Sequence, residues 1–249
     1  MSCILITGAS SGIGMAAAAL FRDAGYRVIV TARRNDRLLK LQHQLGDQCH
    51  AATMDITDPE SIAAALRDLP KEFQEIDVLL NNAGLALGLE PAYKTAIENW
   101  ERMIETNITG LLRVTRAVLP GMVERNRGHV INLGSIAGSY PYPGGNVYGA
   151  TKAFLAQFTL NLKADLLGTN VRVTNIEPGM VETEFSVVRF GGDQAKADSV
   201  YQGMKPLSAE DIAEIALWCA SRPAHVNINR VEVMPVEQAF SPFAVSRKS

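Results

Sequence analysis

The sequence predicts one α/β domain, a doubly wound seven-stranded parallel sheet with helices on both faces. First, seven short apolar segments alternate with six longer helical patterns along the 249 residues. Second, several apolar segments are hydrophobic at every position, as is typical of parallel strands that are covered on both faces. Third, no linker, repeat or low-complexity tract divides the chain, so residues 1–249 are expected to form a single domain.

The predicted strands are, in order, 3–7, 27–31, 49–54, 77–81, 129–133, 171–176 and 231–235. The predicted helices between them are 12–24, 35–45, 59–69, 97–126, 147–167 and 208–221. The interval 179–207 shows no clear periodicity, and an irregular segment of that length inside a compact domain is more often a functional lid than a simple connection. It follows the sixth strand at the sheet edge where ligands of open α/β sheets bind, so we expect a substrate lid there.

Composition excludes several classes of protein. Hydrophobic residues make up 47% and charged residues 20% of the chain, which is the balance of a globular protein. The net charge is −2 with no block of like charge, so nucleic acid is not an expected partner. No apolar run approaches the roughly 20 residues that cross a bilayer. The N-terminal MSCILITGAS lacks the basic region of a signal peptide, so no membrane association is expected.

Cysteine and histidine show no metal-ligand spacing, so no metal is expected. The three cysteines are far apart and odd in number, which favours buried thiols in a reducing cytoplasm over a disulfide framework: Cys3, Cys49 and Cys219. The four histidines are expected to be structural or at the surface: His43, His50, His129 and His225.

A glycine-rich turn, ITGASSGIG, joins the first strand to the first helix. Glycines there permit a tight turn and let backbone N–H groups approach a pyrophosphate beside the positive end of the helix. The spacing of Gly8, Gly12 and Gly14 is G-x-x-x-G-x-G, which differs from the commoner G-x-G-x-x-G fingerprint. Its position between a buried N-terminal strand and a helix nevertheless indicates a dinucleotide site.

The end of the second strand favours NADP over NAD. A carboxylate at this place binds the ribose hydroxyls of NAD, whereas arginine accepts the 2′-phosphate of NADP. The sequence has Ala32, Arg33 and Arg34 there, and Asp36 lies where a first-turn carboxylate would stabilise the next helix. The guanidinium fork matches a phosphate, so NADP is the expected cofactor; a solvated basic turn is the alternative.

Several motifs occur together in a fixed order: TGASSGIG at 7–14, NNAG at 81–84, Asn107, Ser135, YGATK at 148–152 and PG at 178–179. With these motifs the sequence resembles the short-chain dehydrogenase/reductase superfamily over nearly its whole length. The resemblance implies a Rossmann fold and a catalytic tetrad of Asn107, Ser135, Tyr148 and Lys152. The glycine turn and the two arginines are among the cofactor contacts that the resemblance implies. The full set is Gly8, Ser10, Ser11, Gly12, Ile13, Gly14, Arg33, Arg34, Asp55, Ile56, Asn81, Ala83, Gly84, Tyr148, Lys152, Pro178, Gly179, Val181 and Thr183.

A tyrosine precedes a lysine by four positions at two places, Tyr148–Lys152 and Tyr201–Lys205. The first pair opens a strong helical pattern, which puts both side chains on one helix face, and Ser135 lies 13 residues earlier at a strand end. The second pair is followed by a proline, which disfavours a helical lysine, and a valine stands at the position equivalent to the serine. The first pair is therefore expected to be catalytic and the second coincidental.

The implied chemistry is hydride transfer between a nicotinamide and a carbonyl carbon, with a proton managed by the protein. Tyr148 would be the general acid/base. Lys152 and the positive nicotinamide would lower its pKa by about two to three units, which takes roughly 3–4 kcal/mol. Ser135 would hydrogen-bond the substrate oxygen, and Asn107 would hold a water that connects Lys152 to solvent.

The segments 138–148 and 177–193 resemble those of the NADP-dependent 3-hydroxy acid dehydrogenases, which oxidise L-serine, L-allo-threonine and 3-hydroxypropionate-type acids. A carboxylate substrate calls for a cation, and Arg189 is the candidate, with an arginine that bridges to a neighbouring surface as the alternative. The candidate substrate contacts are Ser135, Asn146, Tyr148 and Arg189.

Two other functions stay open on the sequence: reduction of a different carbonyl, such as a ketosteroid, a pterin or a 3-oxoacyl thioester, and redox sensing by a non-catalytic NADP-binding protein. The complete tetrad argues against a sensor, which needs no proton relay. The helical segments 97–126 and 147–167 resemble those that associate in family oligomers, so a homotetramer is expected, with core packing as the alternative. The tail 238–249 ends in polar residues that could reach a neighbouring subunit.

Overall fold

A computed structural model describes residues 1–240 and confirms the predicted fold class. The last nine residues of the tail, 241–249, lie outside the described part. All strand pairs are parallel, in the order β3-β2-β1-β4-β5-β6-β7. The strands are β1 (Cys3–Thr7), β2 (Arg27–Ala32), β3 (Cys49–Thr53), β4 (Val78–Asn81), β5 (Gly128–Leu133), β6 (Val171–Pro178) and β7 (Arg230–Val233).

The helices cover both faces of the sheet, which explains why the strands are apolar at every position. On β1, Ile4 and Ile6 belong to a core with α1 and α9, whereas Leu5 on the opposite face belongs to a core with α5 and α6. The α-helices are α1 (Gly12–Asp23), α2 (Asn35–Leu45), α3 (Pro59–Arg67), α4 (Ile97–Ile104), α5 (Leu111–Glu124), α6 (Asn146–Asp165), α7 (Glu184–Arg189), α8 (Gln194–Ser199) and α9 (Ala209–Ala220).

Two elements differ from the prediction. The helix expected over 97–126 is interrupted by a π-helical turn, Glu105–Gly110, between α4 and α5. A β-carbon at Gly110 would lie 2.8 Å from Cγ1 of Ile56, so this turn passes close to the loop after β3. The segment 179–207, expected to be irregular, contains the short helices α7 and α8, and a parallel bridge between Val181 and Leu207 joins its two ends.

The strand order reverses between β1 and β4, which creates a crevice beyond their carboxyl ends. The glycine turn after β1, the end of β2, the end of β4 and segment 179–207 after β6 all meet at this edge. Across residues 1–240, no helix is long and apolar enough to span a bilayer.

Candidate active site

A cleft of about 570 Å³ opens at the carboxyl edge of the sheet. This volume lies in the range of small-molecule and cofactor sites. Its wall runs from the glycine turn and the end of β2, across the end of β5, to α6 and segment 179–207. The cleft thus joins the predicted cofactor residues and the predicted catalytic residues in one continuous space.

The glycine turn forms one end of the cleft. Gly8 and Gly12 have φ angles of +68° and +54°, a backbone region that favours glycine. A β-carbon at Gly8 would lie 2.9 Å from Cα of Ala83, so glycine here lets the turn approach the segment after β4. Asn82 fastens that contact, because its Nδ2 donates hydrogen bonds to the carbonyls of Thr7 (2.8 Å) and Gly8 (3.1 Å).

The two arginines beside the glycine turn differ in their hydrogen bonds. Arg34 donates hydrogen bonds to Ser10 and Ser11 of the turn at 2.9–3.1 Å, and Nη1 of Arg34 donates to Glu184 at 3.0 Å. Arg33 lines the cleft and makes no hydrogen bond or ion pair within residues 1–240. Burial on its own would raise the pKa of Asp55, but hydrogen bonds from Thr57 and the charge of Arg33 bring it below its usual value.

These residues fit a dinucleotide that carries a 2′-phosphate. The turn leaves no β-carbon at Gly8 or Gly12 between the backbone and the cleft. The Arg33 guanidinium makes no hydrogen bond to the described residues 1–240, and Asp55 and Ile56 line the wall beyond the end of β2. This set of donors matches the pyrophosphate, the ribose phosphate and the adenosine of such a ligand.

Ser135, Tyr148 and Lys152 come together at the other end. Ser135 follows β5, and its Oγ accepts a hydrogen bond from the N–H of Ala137 at 3.1 Å. Nζ of Lys152 lies 5.8 Å from the centre of the Tyr148 ring and donates to the carbonyl of Leu133 at 2.7 Å. A β-carbon at Gly138 would lie 2.8 Å from the carbonyl carbon of Lys152, so glycine lets the turn after Ser135 pack directly against α6.

Burial pushes both members of the tyrosine–lysine pair toward their neutral forms. Burial, with a smaller contribution from the neighbouring Tyr142, raises the pKa of Tyr148 to about 12. A hydrogen bond with Ser135 and the charge of Arg189 act in the opposite direction. Burial also lowers the pKa of Lys152 to about 8. Burial outweighs Ser135 and Arg189 in the protein alone. The expected lowering of the Tyr148 pKa by Lys152 together with the bound nicotinamide stays a prediction.

Asn107 lies in the π-helical turn, behind the cleft wall rather than in it. Its Oδ1 accepts from the N–H of Leu85 at 2.9 Å, and its Nδ2 donates to the carbonyl of Leu85 at 2.8 Å and to Thr151 at 3.1 Å. The side chain therefore ties the segment after β4 to α6, beside Lys152. π-helical turns often occur at functional sites, and this one directs an amide toward the catalytic helix.

Arg189 reaches into the catalytic half from the last residue of α7. Its guanidinium carbon lies 5.6 Å from the Tyr148 ring centre and 5.3 Å from the Tyr142 ring centre. Nη2 donates to the Tyr142 hydroxyl at 2.6 Å, and Nε donates to the carbonyl of Gly88 at 3.2 Å. A cation is thus held beside the predicted acid/base, within reach of a substrate carboxylate.

Most of the predicted site residues lie in the cleft wall, but four do not. Gly14 packs against Asn82, since a β-carbon at Gly14 would lie 2.6 Å from Nδ2 of Asn82. Asn81 is buried, and its Nδ2 donates to Thr115 and Asn132, each at 2.9 Å. Asn107 is placed as described above.

The fourth residue outside the wall, Asn146, stands at the start of α6. Its Oδ1 accepts from the indole N–H of Trp100 at 3.1 Å and from the N–H of Val147 at 2.7 Å. Asn81 and Asn146 thus lie outside the cleft wall with packing and helix-start contacts, and the cofactor and substrate contacts expected of them stay predictions.

Sequence reasoning missed several residues of the wall. No motif in the sequence indicated Tyr142 or Glu184. Only their contacts with Arg189 and Arg34 in the structure show that they belong to the site. Tyr201 belongs to the tyrosine–lysine pair that was set aside, and the structure agrees that Lys205 is not helical. Yet the Tyr201 hydroxyl contacts Ser186 at 2.5 Å and donates to the carbonyl of Val181 at 2.7 Å, so this tyrosine holds segment 179–207 together.

Within residues 1–240, no cluster of His, Cys, Asp and Glu could hold a metal ion. Cys3, Cys49 and Cys219 are free and buried, and burial raises the pKa of each thiol. Nε2 of the buried His129 contacts the hydroxyl of Thr174 at 2.7 Å. These residues are therefore parts of the core rather than of a reactive site.

The fold and the Ser–Tyr–Lys site have the form of a nucleotide-dependent dehydrogenase, and the chain belongs to the short-chain dehydrogenase family. The family's model, described as short chain dehydrogenase, matches residues 2–191. The expected superfamily is therefore confirmed.

Individual relatives narrow the similarity. The chain is 54% identical over 246 residues to the NADP-dependent 3-hydroxy acid dehydrogenase YdfG of Escherichia coli K12, covering 98% of this chain and 99% of the relative. It is also 54% identical over 246 residues to the serine 3-dehydrogenase of Rhizobium radiobacter, covering 99% and 98%. Among solved structures, the closed form of a serine dehydrogenase complexed with NADP+ superimposes with a TM-score of 0.95 at 54% identity, covering 99% of this chain and 100% of the other.

Proposed function

We propose that this protein is an NADP(H)-dependent oxidoreductase that transfers a hydride between the nicotinamide and a small 3-hydroxy acid of the L-serine, L-allo-threonine or 3-hydroxypropionate type. The single observation that carries the proposal is one cleft that holds the phosphate-binding turn, the Ser–Tyr–Lys group and a buttressed arginine. One relative named above is an NADP-dependent 3-hydroxy acid dehydrogenase and another is a serine 3-dehydrogenase, and both match this chain along nearly their whole length, which supports the cofactor and the reaction class.

In the proposed reaction, the bound cofactor supplies or accepts the hydride. Tyr148 gives a proton to the substrate oxygen during reduction or takes it during oxidation, and Ser135 hydrogen-bonds that oxygen. Lys152 lies next to the tyrosine, with Nζ 5.8 Å from the ring centre, and would restore its proton. Asn107 would support this route by holding a water near Lys152. The two side chains both approach Gly84: a β-carbon there would lie 3.3 Å from Oδ1 of Asn107 and 3.8 Å from Nζ of Lys152.

Arg189 is the proposed carboxylate contact. Nε and Nη2 are engaged by Gly88 and Tyr142, while Nη1 makes no hydrogen bond within residues 1–240. The tyrosine and the carbonyl hold the guanidinium plane in place, so less entropy is lost when the remaining donors bind a carboxylate. Tyr142 is therefore a proposed positioning residue for substrate recognition.

The segment 179–207 is the proposed lid. It carries Arg189 on α7, leaves from the carboxyl end of β6 and is closed on itself by Tyr201. It has few strand or long-helix contacts of its own, which is typical of segments that move when a ligand binds.

The test of the proposed function is NADP(H)-coupled absorbance with the purified protein and a substrate panel. We expect turnover of 3-hydroxy acids and little turnover of ketosteroids, pterins or 3-oxoacyl thioesters. Preference for one of those three would replace the hydroxy-acid proposal with the corresponding reductase. NADP binding without turnover of any substrate would leave the redox-sensor alternative.

The variant Arg189→Met tests the carboxylate contact. A hydrogen bond to a charged group contributes about 1.5–3 kcal/mol, so kcat/KM for 3-hydroxypropionate should fall about 10- to 150-fold. The methyl ester of the same acid is the matched control, because it keeps the hydroxyl and lacks the charge. Equal losses for the acid and the ester would show that Arg189 acts on the lid or on Tyr148 instead.

We further propose a cytoplasmic homotetramer. Free, buried cysteines are compatible with a reducing compartment. Ile97, Ile104 and Val123 on the α4–α5 side and Leu160 on α6 are each between 39% and 54% exposed, which leaves apolar helix faces for association. The mass measured by light scattering tests the assembly, and a monomer would contradict it.

A further inference from the structure

Two arginines and one glutamate connect the glycine-turn end of the cleft to the lid. Oε2 of Glu184 accepts a hydrogen bond from Nη1 of Arg34 at 3.0 Å, and Oε1 accepts from Nη1 of Arg37 at 2.6 Å. Glu184 is the first residue of α7, whereas Arg34 directly precedes α2 and Arg37 lies in its first turn. We call this group the Arg34–Arg37–Glu184 bridge. Each carboxylate oxygen therefore has its own guanidinium.

Arg34 has almost no donor left for another anion. Nε and Nη2 make three hydrogen bonds to Ser10 and Ser11, and Nη1 makes one to Glu184. A guanidinium has five N–H groups, and a phosphate that is bound bidentately takes two of them. Arg34 therefore cannot bind a phosphate with two donors and keep all four of these hydrogen bonds, and the bond to Glu184 is the one that a second anion opposes.

The charges also oppose binding of a phosphate and of the Glu184 carboxylate to the same arginines. A phosphate monoester carries about −1.5 to −2 charges at neutral pH, so it repels a carboxylate that shares its cations. No other acidic side chain forms an ion pair with Arg34 or Arg37 within residues 1–240. Hydrogen bonds from Arg37 and Arg34 overcome the effect of burial and lower the pKa of Glu184, so the side chain is charged at neutral pH.

We propose that Glu184 competes with the 2′-phosphate of NADP for Arg34 and Arg37, so that binding of the phosphate releases the first residue of α7. The inference rests on the proposed NADP dependence and adds a residue that determines cofactor specificity. The same six-residue helix ends at Arg189 in the catalytic half. A cofactor with a 2′-phosphate thus acts on the lid, whereas a cofactor without one leaves the Arg34–Arg37–Glu184 bridge in place.

The test compares adenosine 2′,5′-bisphosphate with adenosine 5′-monophosphate by calorimetry, since the two ligands differ only in the 2′-phosphate. For Glu184→Gln we expect about tenfold tighter binding of the bisphosphate and unchanged binding of the monophosphate, a size set by the loss of two exposed ion pairs. In about 1 M NaCl, where the Debye length is about 3 Å, the gain should shrink.

Glu182→Gln is the matched control. It removes the same charge two positions earlier from a side chain that makes no ion pair within the described residues, so it should not change binding of the bisphosphate. Unchanged affinity in Glu184→Gln would overturn the inference. Weaker affinity would overturn it as well, since Glu184 would then orient the arginines for the phosphate.

A second measurement follows the lid itself. Hydrogen exchange of the α7 amides in the original protein should be faster with the bisphosphate than with the monophosphate, and Glu184→Gln should exchange fast with both. Equal exchange with both ligands in the original protein would refute the coupling to the lid. If the unsubstituted protein binds the bisphosphate and the monophosphate equally well, the proposed NADP preference is wrong. If it prefers the bisphosphate and Glu184→Gln shows the same two affinities, only the role of Glu184 is wrong.

Discussion

Replacing Tyr148 by phenylalanine tests the proposed acid/base directly. Tyr148 is 8% exposed and its ring packs in a cluster with Leu85, Met103 and Ala137, so phenylalanine keeps the packing and removes only the hydroxyl. General acid–base catalysis contributes about 10²–10⁴ in rate, or about 2.7–5.5 kcal/mol of barrier. We expect a loss in kcat near the upper end, because the adjacent Lys152 ammonium is directed at the carbonyl of Leu133.

The assay is NADPH oxidation followed by absorbance, together with NADPH affinity from fluorescence. Affinity should stay within about twofold, since the hydroxyl is not needed to hold the cofactor phosphates. Tyr201→Phe is the matched control, because Tyr201 also lines the cleft and precedes a lysine by four positions. It loses the contacts to Ser186 and Val181 and should change KM more than kcat. A Tyr148→Phe protein with more than a tenth of the original kcat would refute the mechanism.

Two further predictions concern stability. Gly138→Ala should lower the free energy of unfolding, measured by urea denaturation, by about 1–3 kcal/mol. The reason is that its β-carbon would lie within 2.9 Å of backbone atoms of Lys152 and Ala153. Gly121→Ala in α5 is the control and should not destabilise the protein, because its β-carbon meets only the far end of a flexible side chain. Burial lowers the pKa of His129 to about 3. Between about pH 6.5 and pH 3 this imidazole is therefore protonated in the unfolded chain and neutral in the folded chain. That group should reduce the free energy of unfolding by about 1.4 kcal/mol for each pH unit of acidification in this window, and His129→Gln should show a correspondingly smaller slope; equal slopes would contradict the assignment.

The sequence was sufficient for features that depend on local pattern. Continuous apolar segments predicted buried parallel strands, because both faces of each strand are covered by helices. The glycine turn and Tyr148–Lys152 were recognisable because spacing along one strand, turn or helix directly sets geometry. The π-helical turn at Glu105–Gly110 was not recognisable from the sequence, and the close approach of Gly110 to Ile56 at this turn joins segments that are distant in the chain.

Features that depend on long-range contacts were missed or misplaced. Asn81 and Asn146 were expected to touch ligands, and the sequence did not show that each is held by a partner distant in sequence, Asn132 for the first and Trp100 for the second. Glu184 became visible only through arginines about 150 positions earlier. Sequence spacing shows which residues share an element, but not where each side chain points after the elements pack.

The direction of the Tyr148 pKa connects these observations. Lys152 was expected to favour the phenolate, yet burial dominates, and the protein groups that lower the pKa are Ser135 and Arg189. Ser135 is fixed by β5 and its turn, but Arg189 belongs to α7, whose other end is Glu184. Because a charge acts on its neighbour according to distance, a movement of α7 that changes the 5.6 Å separation of Arg189 and the Tyr148 ring changes the proton affinity of the tyrosine. The cations at the cofactor end and the acid/base at the substrate end are therefore joined by six residues of one helix, and a shift of that helix alters both together.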